Sequence, residues 1–161
     1  MHFHSLISGP RFDTYIHDIN IYMAIRSDVN ARNKNGGTCL LVAADGNDES
    51  TVNKLLEKGA NVNIQDNDGN TGLHRAVING NFQISAAIVN SDYHTVNIQN
   101  RDGVTALMYA VLWDQTRLAM ALVDQGARLD LKDVYGRDVL TYCDVYVRPY
   151  IKKYIMSKLG E

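Results

Sequence analysis

The chain has 161 residues, 45% of them hydrophobic, which is enough to bury a sizeable core within one domain. Its net charge of −2 argues against a polyanion binder, so nucleic acid is not expected as a partner. No apolar run approaches the ~20 residues that a membrane span requires, and the N-terminus lacks the basic start of a secretory signal, so no membrane partner and a cytoplasmic location, a host cytosol if the source is a virus or a bacterial effector, are expected, with a monomer as the expected state.

Residues 1–12, which include His2, His4, Gly9 and Pro10, read as an arm. From Asp13 the spacing of Ile16, Ile19 and Met23 is helical and predicts a helix over 13–26. Ser27-Asp-Val-Asn30 then matches Ala60-Asn-Val-Asn63 one period later, so this helix reads as part of a degenerate N-terminal capping unit. Beyond it the chain repeats itself. Gly36, Gly69, Gly103 and Gly136 lie 33, 34 and 33 residues apart, with Thr38, Thr71 and Thr105 two residues after the first three. Leu40, Leu73, Leu107 and Leu140 follow all four glycines by four residues. A period near 33 predicts stacked supersecondary units, here at about 30–62, 63–96, 97–129 and 130–161, in one domain over 13–161.

Each unit reads as a turn, a helix, a second turn and a second helix. In the first, Asn33-Lys-Asn-Gly-Gly37 is the turn, Thr38 starts a helix through Ala43-Ala44, and a second helix over about 50–58 ends at Gly59, suited to a left-handed helix terminus. The second unit has its helices near 71–79 and 83–90, and Ser91 to Asn97 carries the extra residue behind the interval of 34. The third has helices near 105–114 and 117–124; in the fourth, Asp138 replaces threonine as the helix-capping acceptor, and Pro149 suits the first turn of the last helix. The alanine pairs Ala43-Ala44 and Ala86-Ala87 are expected to let helices of adjacent units approach closely.

The recurring Gly-x-Thr-x-Leu-x-x-Ala and the segment Leu55-Leu-x-x-Gly-Ala-x-Val-Asn63 resemble the ankyrin repeat. That resemblance covers about residues 27–161. It implies an all-α solenoid of about four helix-turn-helix repeats with β-turn fingers and an N-terminal capping helix. The usual proline after threonine is absent from all four units, and the usual histidine survives only as His74. The resemblance also implies a non-enzymatic module that needs no cofactor and binds another protein on a concave face of fingers and inner helices, as an inhibitor or adaptor.

By register, the positions on that face are Lys34, Asn35, Gly37, Asn67, Asp68, Asn70, Arg101, Asp102, Val104, Val134, Tyr135 and Arg137 from the fingers. The inner-helix ends add Asp45, Gly46, Ile78, Asn79, Leu112, Trp113, Val145 and Tyr146. The first half of this surface is small and polar, whereas the second carries the only tryptophan. Because Trp, Tyr and Arg dominate binding hot spots, the expected partner contacts are Trp113, Tyr135 and Tyr146, flanked by Leu112, Ile78, Asp68 and Asp102, with Arg101 and Arg137 bonding acidic groups. The resemblance further raises asparagine hydroxylation at Asn63 or Asn30.

Catalytic motifs are largely missing: there is no phosphate loop, no His-Glu-x-x-His and no Cys-x-x-Cys. The alternative to a binding module is a small metal-dependent enzyme using His2, His4, Asp13, His17 and Asp18 as ligands. Cys39, at a helix start that would lower its pKa, is the other reactive candidate. Cys39 and Cys143 should stand on the order of 30 Å apart, given stacked helices spaced ~8–10 Å, and remain free thiols.

Overall fold

The computed structural model describes residues 28–160. The arm, the capping helix at 13–26 and the His2, His4, Asp13, His17 and Asp18 cluster lie outside them. Eight α-helices make four pairs among the described residues: α1 (Cys39–Asp45) with α2 (Glu49–Glu57), α3 (Gly72–Ile78) with α4 (Phe82–Ser91), α5 (Ala106–Leu112) with α6 (Thr116–Asp124), and α7 (Val139–Val145) with α8 (Pro149–Leu159). The first helices of successive pairs stack in one row, α1 on α3 on α5 on α7, beneath the fingers.

Each inner helix starts where the sequence supplies an acceptor for an orphan N–H. Thr38, Thr71 and Thr105 accept from the N–H groups of Leu41, His74 and Met108, and Asp138 accepts from Thr141. Asp48 and Asn81 cap α2 and α4 in the same way, while α8 opens on Pro149, whose missing N–H leaves nothing unsatisfied. The buried set is a strip shared between neighbours: Leu40, Ala43, Ala44 and Leu55 in the first unit pass into Leu73, Ala76, Val77 and Ile88 in the second. Burying each leucine, valine or isoleucine of this strip contributes roughly 1.5–3 kcal/mol before chain entropy is set against it.

The fingers use one device four times. The side-chain Oδ1 of Asn33, Asp66, Asn100 and Asp133 accepts the N–H groups two and four residues on, at 2.9–3.0 Å. Adjacent fingers are then tied by main-chain bonds: Asn67 N–H to Asn35 O, Arg101 N–H to Asp68 O and Val134 N–H to Asp102 O. This return toward the acceptor buries Gly37, Asn70 and Val104, which the register alone had placed on the exposed finger surface.

The extra residue after α4 changes the outer row. It forms a 3-10 turn, Tyr93–Asn97, packed on α4 and α5. Where α2 packs on α4 and α6 on α8, the helices α4 and α6 barely touch. Ala86 and Ala87 are therefore only half-buried, contrary to the close approach their sequence suggests. Ala86 lines an open groove of about 90 Å³ with Phe82, Val89, Leu118 and Ala121. The same junction holds two buried polar atoms without a partner, Asn63 Oδ1 and Thr95 Oγ1. The matching oxygens of Asn30 and Asn97 each accept an N–H from the following unit, at Asn61 and Arg128.

The fourth unit turns a polar flank away from the third. Asp144 stands where Ala44, Val77 and Val111 are buried, and Lys152 where Val52 and Ala119 are buried; the two form an ion pair. Between the inner and outer helices, positions 47, 80, 114 and 147 all take positive φ. Glycine suits this at 80, and asparagine and aspartate tolerate it at 47 and 114, but Val147 holds φ 56 with a β-branched side chain that is 74% exposed. Packing does not offset that strain. Val147→Asn should therefore raise stability by about 1 kcal/mol, read as a higher urea midpoint at unchanged slope; an unchanged midpoint would mean the left-handed conformation costs valine nothing here.

Candidate functional site

The surface made by the fingers and inner helices gathers the residues singled out by sequence, in unequal states. Trp113 caps the C-terminus of α5 and is 55% exposed, and Tyr135 stands on the fourth finger at 79%. Tyr146 is half-buried, 5.9 Å from the ring of Tyr142, and Leu112 and Ile78 are also half-buried against the core or its edge. Asp68, Arg101 and Asp102 are exposed on the second and third fingers. Of the nine large hydrophobic side chains exposed among the described residues, Tyr93 alone precedes Trp113. The apolar surface is thus concentrated in the third and fourth units.

Arg137 is not a free rim charge. Its Nε donates to Asp133 Oδ2 at 2.8 Å, and its guanidinium lies 5.1 Å from the rings of both Tyr135 and Tyr142. Asp133, whose side chain is 1% exposed, also accepts from the Tyr142 hydroxyl at 2.7 Å. Burial would push the Asp133 carboxyl up. The donors at Arg137 N–H, Tyr142, the Arg137 side chain and Tyr135 N–H outweigh it and hold the pKa below the ordinary carboxylate value. The hydroxyl of Tyr142, desolvated and bonded to a carboxylate, is shifted strongly upward.

Tyr142 belongs to a register that sequence reading missed. Positions 75, 109 and 142 each bond the finger residue nine positions back: Arg75 donates to Asp66 at 3.0 Å, the Tyr109 hydroxyl accepts from Asn100 Nδ2 at 2.9 Å, and Tyr142 donates to Asp133. Polar, long side chains recurring there, one turn before the exposed helix end, were the available signal. These bonds lock fingers onto helices, so the face is a firm platform.

Asn63 is half-buried: its amide donates to Asp92 at 2.8 Å while its oxygen points inward without a partner. Asn30 uses its oxygen on the N–H of Asn61. Cys39 is half-buried at the start of α1, and burial raises its pKa, so the helix-start effect that would have activated it is overridden. Cys143 is buried and pushed up to about 11, by desolvation first and by Asp144 second. Neither cysteine forms a disulfide among the described residues. Among the described residues no group of three His, Cys, Asp or Glu side chains could hold a metal, and no helix is long and apolar enough to cross a membrane.

Comparison with known proteins agrees with this architecture. The family model described as ankyrin repeats (3 copies) matches residues 14–96 and 40–133. A putative ankyrin repeat protein, L92, of Acanthamoeba polyphaga mimivirus is 45% identical over 60 residues, 37% of this chain and 14% of that protein. Protein lin-12 of Caenorhabditis elegans is 29% identical over a 161-residue alignment that takes in 92% of this chain and 11% of that protein. The chain therefore spans only a small part of the length of these relatives. With the family model covering well over half its residues and four finger-and-helix-pair units in its fold, the chain belongs to the ankyrin repeat family.

Proposed function

We propose that this chain is a non-enzymatic binding module that seats a partner protein on its finger-and-inner-helix face, centred on Trp113. Tyr135, Tyr146, Leu112 and Ile78 supply area around it, and Asp68, Asp102, Arg101 and Arg137 form the polar finger edge. Repeats of this family are in general protein–protein interaction modules. The observation that carries the reading is the indole of Trp113, more than half exposed at the end of a rigid helix. A large aromatic held this way offers contact area with little rotamer entropy to lose. Val147, strained and exposed one unit further along, supports it, since unrelieved strain collects at functional surfaces.

Immobilised protein should capture a partner from the lysate of its source organism. Trp113→Ala should weaken that binding by about 30-fold or more. The melting temperature should scarcely move, because surface substitutions outside caps and cores stay within about 0.5 kcal/mol. Retained binding, or a large loss of stability, would reassign Trp113 to packing.

A further inference from the structure

The charges on the finger-and-inner-helix face are not equally available. Arg75 is held by Asp66 and Arg137 by Asp133, and Arg148 donates to the carbonyls of Val111 and Leu112 at 3.0 and 3.2 Å while lying 3.5 Å from Asp114. A partner carboxylate could recruit any of them only by breaking an internal bond. Asp68 and Asp102 differ. Both are exposed, they stand on adjacent fingers tied by the Arg101 N–H to Asp68 O bond, and their carboxylates accept from no donor among the described residues. Their charge is felt at the inner helix: the Tyr109 hydroxyl is raised first by burial, lowered next by its bond with Asn100, raised by Asp102, lowered by Arg75 and raised by Asp68. Arg101 is the guanidinium beside them, and no ion pair holds it among the described residues, so these two fingers present two unpaired carboxylates to one unpaired guanidinium among the described residues.

Tyr109 connects this acidic edge to the apolar end of the face. It shares α5 with Leu112, three residues on, and Trp113 caps the same helix. The fingers on one side of α5 therefore offer unpaired negative charge, and the C-terminus of α5 offers an exposed indole.

We propose that the occupant of this face, on the docking reading above, is a basic amphipathic segment that sets Lys or Arg side chains against Asp68 and Asp102 and apolar side chains against Leu112 and Trp113. Two like charges on neighbouring fingers repel, and a cation between them relieves the repulsion. A cation near the indole gains a further attraction from the ring. The sequence-based expectation of acidic partner groups meeting Arg101 and Arg137 is thereby reversed in sign.

Trp113 is the only tryptophan in the chain and so reports on its own surface. The full chain is titrated with two tryptophan-free helical peptides of identical leucine spacing, one with lysine and one with glutamate at every polar position, while indole emission is followed. The lysine peptide should give a saturable shift that weakens with added salt. Binding should weaken about tenfold in Asp68→Asn/Asp102→Asn, whose replaced side chains are exposed and bond nothing, and should tighten in Arg101→Gln, which removes the cation competing for the same carboxylates. Circular dichroism confirms that each variant folds as the parent does. Preference for the glutamate peptide, or undiminished lysine-peptide binding by the double variant, overturns the sign of the partner while a saturable indole response still upholds the docking face. No response to the lysine peptide overturns the inference as well, and the capture experiment with Trp113→Ala then judges the face by itself.

Discussion

Gly103→Ala should cost about 3 kcal/mol, and Gly136→Ala, at the same register position one unit on, only about 1–2. Both glycines hold φ 76, in the left-handed region where a Cβ meets its own carbonyl, so both substitutions carry that strain. The difference lies in what stands beyond. A Cβ on Gly103 would sit 2.7 Å from Asp133 Cα and 3.0 Å from Val134 N, whereas nothing lies within 4 Å of one on Gly136. The obstacle at Gly103 is main chain, which cannot rotate away. To make room, the fourth finger must retreat, stretching the Val134 N–H to Asp102 O bond and tilting Asp133, whose carboxylate gathers Arg137 and Tyr142. Because stability here is a sum of unit and neighbour terms, loosening this interface should also broaden the urea transition as the fourth unit frays first. Equal losses in the two variants would mean that the close contact between fingers adds nothing.

That contrast also marks how far the sequence could be read. The glycines, the capping threonines and Asp138 were legible because each answers a local demand of its own backbone: a positive φ, or an orphan N–H at a helix start. Their spacing carried the whole architecture. What the chain text could not carry were demands set by a neighbour. Ala86-Ala87 has the look of Ala43-Ala44, yet its packing partner was displaced by the 3-10 turn at Tyr93–Asn97, and one inserted residue in a string does not say which helices it will part. Val104 and Asn70 looked exposed until the finger's return strand had to meet the side chain of Asn100 or Asp66. At the candidate site the aromatic enrichment of the last two units was readable, but the commitment of charge was not. Arg137 and Arg101 are equivalent in a composition; only the position of Asp133, four residues before Arg137 and folded under it, removes one of them from use.

Between pH 6.5 and 4 the protein should lose about 3 kcal/mol of stability through one side chain, His74. The imidazole is fully buried, and its two nitrogens are both occupied. Nδ1 lies 3.1 Å from the Thr71 N–H, which can only donate, so Nδ1 accepts and the proton resides on Nε2, which donates to Val104 O at 2.9 Å across to the next unit. A second proton would have to sit on Nδ1, facing that N–H inside a desolvated site. Burial is the main reason the pKa falls from 6.5 to about 4; the Val104 bond and the charge of Asp66 resist the fall, and Arg75 reinforces it. The ring of Tyr109, edge-on at 5.8 Å, brings no charge of its own. The sign follows from which state binds the proton. Above pH 6.5 the imidazole is neutral folded or unfolded and its contribution is fully present; below 6.5 the unfolded chain takes up a proton that the fold refuses, so stability drops until the folded pKa near 4 is reached. His74→Met isolates the effect, because Met108 occupies the same register and its sulfur already takes the equivalent N–H at 3.4 Å. The variant leaves Val104 O without its donor and should be less stable than the parent at pH 7 by about 1–3 kcal/mol. It lacks the titration, however, so its stability should fall less steeply and the two urea-derived curves should converge as pH approaches 4. Curves that stay parallel across that window would show that His74 is not what makes the stack acid-sensitive.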